Sequence, residues 1–371
     1  MIKSYKENNK LAKNNKRVVV AMSGGVDSSV VAGLLKEQGY EVIGITLRLY
    51  DIKERTPNSK TCCAGQDIYD AKKVATQLGI AHYVLDYKSS FENSVVKDFV
   101  KTYRNGATPI PCVICNQKIK FSELLNTAKG LNANYLATGH YIDLRKNSNG
   151  LGLYRAIDNE KDQSYFLFQT KKKDLNFLKF PLGKLTKKDT RELADKYNIS
   201  VANKPESQDI CFIPDGNYRN FLKKYEGFGK KGEILTTKGE VVGEHFGLEN
   251  YTIGQRKHLN LNMQEPRYVV KIIKEDNILV VGSKNDLIGC QVRIREFNWL
   301  GPDEKNLKTD SLNNILIKVR ARQKPVRGKL IINNNNSAEA ELIEPTSSIA
   351  KGQGCVFYSN SGQLLGGGWI T

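Results

Sequence analysis

Short apolar runs alternate with amphipathic stretches through the first third of the chain. The runs RVVVAM (17–22), EVIGITL (41–47), HYVLDY (82–87) and NYLATG (134–139) have the length and near-continuous hydrophobicity of strands covered on both faces. Between them, SSVVAGLLKEQ (28–38), DIYDAKKVATQL (67–78) and NQKIKFSELLNTAKG (116–130) carry apolar residues at helical spacing. This βαβ rhythm predicts a parallel sheet with helices on both faces, and ligands of such sheets collect at the carboxyl ends of the strands. From about Asp215 the helical pattern fades, and GEILTTKGEVVGEHFG (232–247) reads as short strands with glycine turns. After about residue 268 nearly everything reads as strand: RYVVKII, NILVVG, ILIKVRAR, GKLII, AEAELI and CVFY, with INNNNSAEAEL as a hairpin loop. The expected division is an extension at 1–16, an α/β domain at 17–214, a small β-rich domain at 215–267 and a C-terminal β-barrel at 268–371.

Composition narrows the class. A chain of 371 residues exceeds one ordinary core, and 40% hydrophobic with 26% charged residues describes a soluble globular protein. No apolar stretch is long enough to span a membrane, and the start MIKSYKENNKLAKNNKR lacks the apolar centre of a signal peptide. A disordered extension and a cytoplasmic location are therefore expected, with no membrane partner. Lys plus Arg outnumber Asp plus Glu by 57 to 39, a formal charge of +18, so a polyanion is the natural partner. None of this specifies an oligomeric state.

The segment VAMSGGVDSSVV (19–30) turns a strand into a helix. Backbone N–H groups and the helix dipole converge at such a turn, which suits a phosphate. It lacks the lysine of the Walker loop and the dinucleotide glycine spacing. Ser23, Gly24, Gly25, Asp27 and Ser28 give S-G-G-x-D-S: the glycines admit phosphate oxygens, the serines donate hydroxyls, and Asp27 is placed to hold Mg²⁺ on pyrophosphate. The string resembles the PP-loop of ATP pyrophosphatases, which use ATP as an AMP donor. ATGHY (137–141) resembles a second nucleotide-site loop of that superfamily.

Seven cysteines in a chain of this kind are not a disulfide framework. Cys112 and Cys115 form a C-x-x-C just before a predicted helix, where the dipole and neighbouring lysines lower a thiol pKa, and Cys211 follows where the α/β pattern ends. Zinc would need a fourth ligand from a chain with only 4 histidines. Cys62, Cys63, Cys290 and Cys355 read as inert and buried.

In order along the chain, AMSGGVDSSVVAGLL, CNQKIKF, ATGHY, KDQSYFLFQT, LGKLTKKDTRELA, ESQDICFIPDG, YTIGQRK and KGQGCVFY resemble the successive signatures of the tRNA-specific 2-thiouridylase family, from about Arg17 to Thr371. The resemblance implies a PP-loop α/β domain, a central β-rich domain and a C-terminal barrel that together hold a tRNA anticodon arm. It places Ala21, Met22, Ser23, Gly24, Gly25, Val26, Asp27 and Ser28 in the ATP loop, Leu47 in the adenosine pocket and Gly139 in the nucleotide site. Cys115 matches the nucleophile and Cys211 the persulfide carrier. His140, the loop Lys161, Asp162 and Gln163, Arg320, Ala321 and Gln353 match tRNA-contacting positions. Two departures stand out: Cys112 replaces an aspartate common three residues before the nucleophile, and Ala321 replaces a frequent aromatic.

The implied reaction is ATP-dependent 2-thiolation of the wobble uridine of tRNA. AMP is transferred to the C2 oxygen, sulfur then arrives from a persulfide on Cys211 supplied by a relay protein, and Cys115 and Cys211 end as a disulfide. Cys112 is an auxiliary thiol in this reading. The alternative, three cysteines holding an iron–sulfur cluster, is less favoured because a C-x-x-C with a distant third cysteine also suits a thiol relay. A PP-loop synthetase or amidotransferase using ammonia, and a non-catalytic RNA-binding protein, are the competing functions.

Overall fold

A computed structural model describes residues 15–51, 64–148, 150–205, 209–213, 216–226, 229–259, 261, 263, 265–302, 312–333, 336–347 and 349–371. Most of the N-terminal extension, and Cys62 and Cys63, lie outside the described residues. The chain divides into two compact units, one of residues 1–92 and 115–215, the other of 93–114 and 216–371.

In the first unit, β1 (Arg17–Ala21) is the centre of the sheet, and its Val18, Val19 and Val20 are wholly buried. It leads into helix α1 (Val26–Glu37), then β2 (Glu41–Arg48), α2 (Ala64–Leu78), β3 (Ala81–Asp86) and β4 (Tyr135–Ala137). An antiparallel hairpin, β5 (Ile142–Asn147) and β6 (Gly150–Arg155), precedes β7 (Leu178–Lys179) and helix α4 (Lys187–Lys196). The sheet order is β3-β2-β1-β4-β7, with every pairing parallel. The chain builds outward from β1 to β3 and then crosses back to β4, so the order reverses between β1 and β4. That reversal opens a crevice at the carboxyl ends of those two strands. Helix α1 is buried along most of its length and packs against α4 on one core. It stops at Gly39, whose φ of +80° is cheap only without a side chain.

The second unit opens with α3 (Lys97–Arg104). Tyr103 stacks on Tyr218 with centroids 4.8 Å apart, and Phe99 meets Phe221 at 6.0 Å, both partners lying on α5 (Tyr218–Glu226). Strands β8 (Lys231–Thr236), β9 (Val241–Phe246), β10 (Tyr268–Ile273) and β11 (Ile278–Gly282) form a sheet in the order β10-β11-β8-β9. A closed barrel follows: β12 (Ile288–Trp299), β13 (Ile315–Lys318), β14 (Val326–Asn333), β15 (Ser337–Ser347), β16 (Gly354–Tyr358) and β17 (Leu364–Ile370), ordered β12-β15-β14-β13-β16-β17.

Three sequence expectations change. The region after Asp215 contains the helix α5, whose aromatic face is claimed by α3 rather than by a strand. The strands read as the start of the barrel at 268 instead pair with β8, because β11 runs parallel to it from Leu279 to Val281. Cys290 is exposed, not buried: β12 has a register shift between Gly289 and Gln291, which leaves the cysteine out of the ladder. Cys355 is buried as expected, and burial pushes its thiol pKa up.

Candidate active site

The segment Met22–Gly25 leaves the end of β1 and delivers α1. Gly24 takes a φ of +74°, and Gly25, in extended conformation, caps the helix. The serines are internally ordered: Ser23 N–H donates to Ser28 Oγ at 3.1 Å, and Ser28 Oγ donates to the Gly25 carbonyl at 3.2 Å. Thr46 on β2 donates to the Met22 carbonyl at 2.9 Å and stands 2.9 Å from His82 Nε2. Leu47, the next residue, is partly exposed at the carboxyl end of β2.

Two lysines from late in the α/β unit reach this loop. Lys204 Nζ donates to the Gly24 carbonyl at 3.1 Å and pairs with Asp67 at 2.8 Å and Asp70 at 2.5 Å on α2. Lys187 Nζ pairs with Asp27 Oδ1 at 2.7 Å. Tyr141 also donates its hydroxyl to Asp27 Oδ1, at 2.9 Å, while standing 2.9 Å from Thr190 Oγ1 on α4. Asp27 Oδ1 accepts from both an ammonium and a phenol, so a magnesium ion held here would have to use Asp27 Oδ2 or arrive on the nucleotide phosphates. Among the described residues no three His, Cys, Asp or Glu side chains converge as metal ligands.

The ATGHY loop closes on the same point. A Cβ on Gly139 would stand 2.9 Å from Ser28 N and 3.2 Å from Asp27, so glycine is needed for two protein segments to meet. His140 packs against Phe121 and Phe180, and its Nδ1 lies 2.8 Å from Thr138 Oγ1. Burial, with the Lys120 charge second, holds its pKa well below the usual histidine value, so the ring is neutral.

The KDQ loop is folded inward. Buried Asp162 accepts from the N–H groups of Ala156 and Ser164, both at 3.2 Å, from Arg155 Nε at 3.0 Å and from the Ser164 hydroxyl at 3.0 Å. Gln163 Oε1 accepts from Tyr141 N–H at 2.9 Å, and Gln163 N–H donates to the Tyr141 carbonyl at 2.9 Å. Lys161 is partly exposed. The same segment continues through Ser164–Leu167, where the Phe166 carbonyl accepts from buried Asn116 at 3.1 Å, and Gln169 lies 3.4 Å from Gln117.

Asn116 and Gln117 directly follow Cys115, which is buried at the start of a π-helical segment, Cys115–Leu124. Cys211 is exposed in the same unit, beside buried Phe212, whose ring meets Phe91 edge-on at 5.6 Å. Exposed Cys112 lies in the short helix Pro111–Ile114 of the other unit, inside a helix rather than before one. Also in that unit, Arg320 donates to the Ile253 carbonyl at 3.1 Å, with Ala321 beside it in the turn after β13. Gln353 donates to the Thr108 carbonyl at 3.2 Å.

Sequence reasoning passed over Lys187, Lys204, Tyr141 and Asn116 as site residues. A signal for Lys187 existed. Thr186 and Asp189 are the two ends of a capping box, which puts Lys187 at the first position of α4.

The parallel sheet, its crevice and the S-G-G-x-D-S loop define an ATP-using α/β protein of the PP-loop type. The description "tRNA methyl transferase HUP domain" matches residues 16–215, "tRNA methyl transferase PRC-barrel domain" 219–283 and "Aminomethyltransferase beta-barrel domain" 290–370. The chain is 49% identical over 365 residues to the tRNA-specific 2-thiouridylase MnmA of Orientia tsutsugamushi (strain Boryong), covering 98% of both chains. It is 48% identical to the protein of the same name from Rickettsia canadensis (strain McKiel), covering 95% of both. Among solved structures, NMN synthetase from Francisella tularensis overlaps with a TM-score of 0.34 and 19% identity, over 57% of this chain and 77% of that one. The chain belongs to the tRNA-specific 2-thiouridylase family.

Proposed function

We propose that this protein is a tRNA uridine 2-sulfurtransferase, which thiolates the wobble uridine at the expense of ATP. One observation carries the reading: the segment from Gln163 to Gln169 bonds the nucleotide-site loop through Tyr141 and also bonds Asn116 and Gln117, the residues after Cys115. Nucleotide chemistry and thiol chemistry thus share one brace. The family-model descriptions speak of methyl transfer, but a PP-loop joined to a cysteine turn fits adenylation followed by sulfur transfer.

Uracil C2 is a poor electrophile because its oxygen leaves badly. In the first half-reaction that oxygen attacks the α-phosphorus of ATP, forming a C2–O–AMP ester and releasing pyrophosphate. The terminal sulfur of a Cys211 persulfide then attacks C2, and AMP departs with the oxygen. Attack of the Cys115 thiolate on the Cys211 sulfur leaves the transferred sulfur on C2 and produces a Cys115–Cys211 disulfide, which an external dithiol reduces. A relay protein reloads the persulfide, and Mg²⁺ enters as the counter-ion of ATP, carried on its phosphates. The base must leave the anticodon stack for C2 to be reached, and the basic surface holds the phosphate backbone around it. The reading assigns this work to the cytoplasm, where tRNA and ATP are available.

The test is mass spectrometry of tRNA nucleosides after incubation of the full chain with tRNA, ATP, Mg²⁺ and a persulfide source. 2-Thiouridine is expected only when all are present. Pyrophosphate release without 2-thiouridine, unchanged in Cys115→Ser, would favour an ammonia-using synthetase instead. Absence of tRNA-stimulated pyrophosphate release would leave only RNA binding.

A further inference from the structure

The Asp27 carboxylate, the aspartate of the S-G-G-x-D-S segment, sits in the first turn of α1, and an ammonium is bound to it. We propose that Lys187 is the protein's own cation for the ATP phosphates, and that Asp27 and Tyr141 are positioning residues that hold its ammonium beside the loop. The proposal rests on the PP-loop being the ATP site.

Burial, anchoring and charge support it. Lys187 is only 11% exposed, so its charge has been taken largely out of water, whereas its partner Asp27 is 31% exposed and opens toward solvent. A purely structural surface pair has no need for that asymmetry, since exposed ion pairs contribute little. The backbone under Lys187 is fixed twice, by the Thr186–Asp189 capping box and by Lys187 N–H donating to Asp158 Oδ2 at 2.9 Å. Asp27 is fixed from the other side by the Tyr141 hydroxyl, itself 2.9 Å from Thr190 on α4. An ammonium held this way needs no reorganisation when charge builds up on pyrophosphate, the condition under which electrostatic stabilisation is strongest. The Walker loop carries its lysine within the loop; this loop lacks one, and Lys187 supplies the missing charge from 160 residues away.

A dication bound to Asp27 Oδ1 would lie beside that ammonium and repel it, so the carboxylate and the lysine serve each other, and magnesium stays with the nucleotide oxygens.

The experiment measures ATP and adenosine binding to the full chain by calorimetry, in Mg²⁺ and in EDTA. Lys187→Gln is expected to weaken ATP by about tenfold or more in both buffers, as loss of one charge-assisted hydrogen bond requires. Adenosine and tRNA affinity should be unchanged, and Lys187→Arg should recover most of the ATP affinity. The double variant Lys187→Gln/Asp27→Asn leaves no unpaired carboxylate, so it stays folded if the single variant does not, and it should show the same ATP loss. ATP affinity within about twofold of wild type in either glutamine variant would overturn the proposal, since a charge-assisted contact is worth more. Equal loss of ATP and adenosine would also overturn it, by reducing Lys187 to a shaper of the loop, and so would a loss seen only with Mg²⁺. A wild-type chain that binds no ATP would instead remove the nucleotide site itself.

Discussion

Gly139 and Ser28 meet so closely that a side-chain carbon on the glycine would stand 2.9 Å from the serine's backbone nitrogen. Gly139 lies in the loop that leaves β4, and Ser28 in the first turn of α1, which the loop leaving β1 delivers; those strands flank the sheet's crevice. Gly139→Ala must therefore push the loops apart, at a cost of about 1–3 kcal/mol as for other overpacked sites. Thermal melting should report the destabilisation, and ATP binding should weaken while tRNA affinity holds. An alanine variant with wild-type melting and ATP affinity would refute the close approach.

Asn116 is buried, and its amide donates to the Phe166 carbonyl. Asn116→Ala leaves that carbonyl without this donor, at a cost of about 1–3 kcal/mol, and loosens the turn that carries Cys115. Pyrophosphate release should persist while sulfur transfer slows by roughly tenfold, an effect of about 1.4 kcal/mol on the barrier. Single-turnover assays that follow both products separate the two steps. Equal slowing of both would show that the brace serves the fold alone.

Lys161 and Asp162 are neighbours with opposite expectations. Asp162 accepts four hydrogen bonds that tie its loop to the end of β6, so Asp162→Ala should unfold the loop and lower the melting temperature. Lys161→Ala should leave melting unchanged but weaken tRNA and shallow the plot of log affinity against log salt by about one unit, as removal of one phosphate contact requires. A salt slope unaltered by Lys161→Ala would remove it from the RNA surface.

The histidines predict an acid limb. His140 and His82 both have folded-state pKa values lowered by burial from the ordinary 6.5, His140 well below it. The unfolded chain takes up these protons first, so their contribution to stability is complete above about pH 6.5 and is lost as pH falls toward the folded-state values. Denaturation midpoints should be flat from about pH 8 to 7 and decline below, with a shallower decline in His140→Gln, which cannot titrate. An identical pH profile in that variant would contradict a neutral ring at His140.

Cys115→Ser and Cys211→Ser should each abolish thiolation, and Cys112→Ser should only slow it, because the persulfide relay needs two thiols and Cys112, exposed in the short helix that runs into Cys115, is the third. Anaerobic purification with iron analysis and visible absorption provides the counter-test. Stoichiometric iron lost together in all three variants would replace the thiol relay with a cluster.

Local chemistry made much of the molecule readable before folding. Hydrophobic period alone separates the strands of the parallel sheet from the helices between them, and the S-G-G-x-D-S turn marks its own position because glycine meets the φ of +74° at Gly24 at least cost. The C-x-x-C and the late Cys211 are equally visible, since their chemistry resides in the residue type. What the sequence could not display was partnership. β10 and β11 have the same alternating pattern as the barrel strands, and only long-range pairing with β8 assigns them to the other sheet. Asp27 reads as a lone carboxylate until the fold brings Lys187 and Tyr141 to it, and nothing local in the KDQ loop announces that Asp162 bonds Arg155 or that Gln163 bonds Tyr141. Propensity and turn chemistry act over a few residues and are written locally, whereas the partner of a charge is chosen by whichever distant residue the closed chain places within hydrogen-bonding reach.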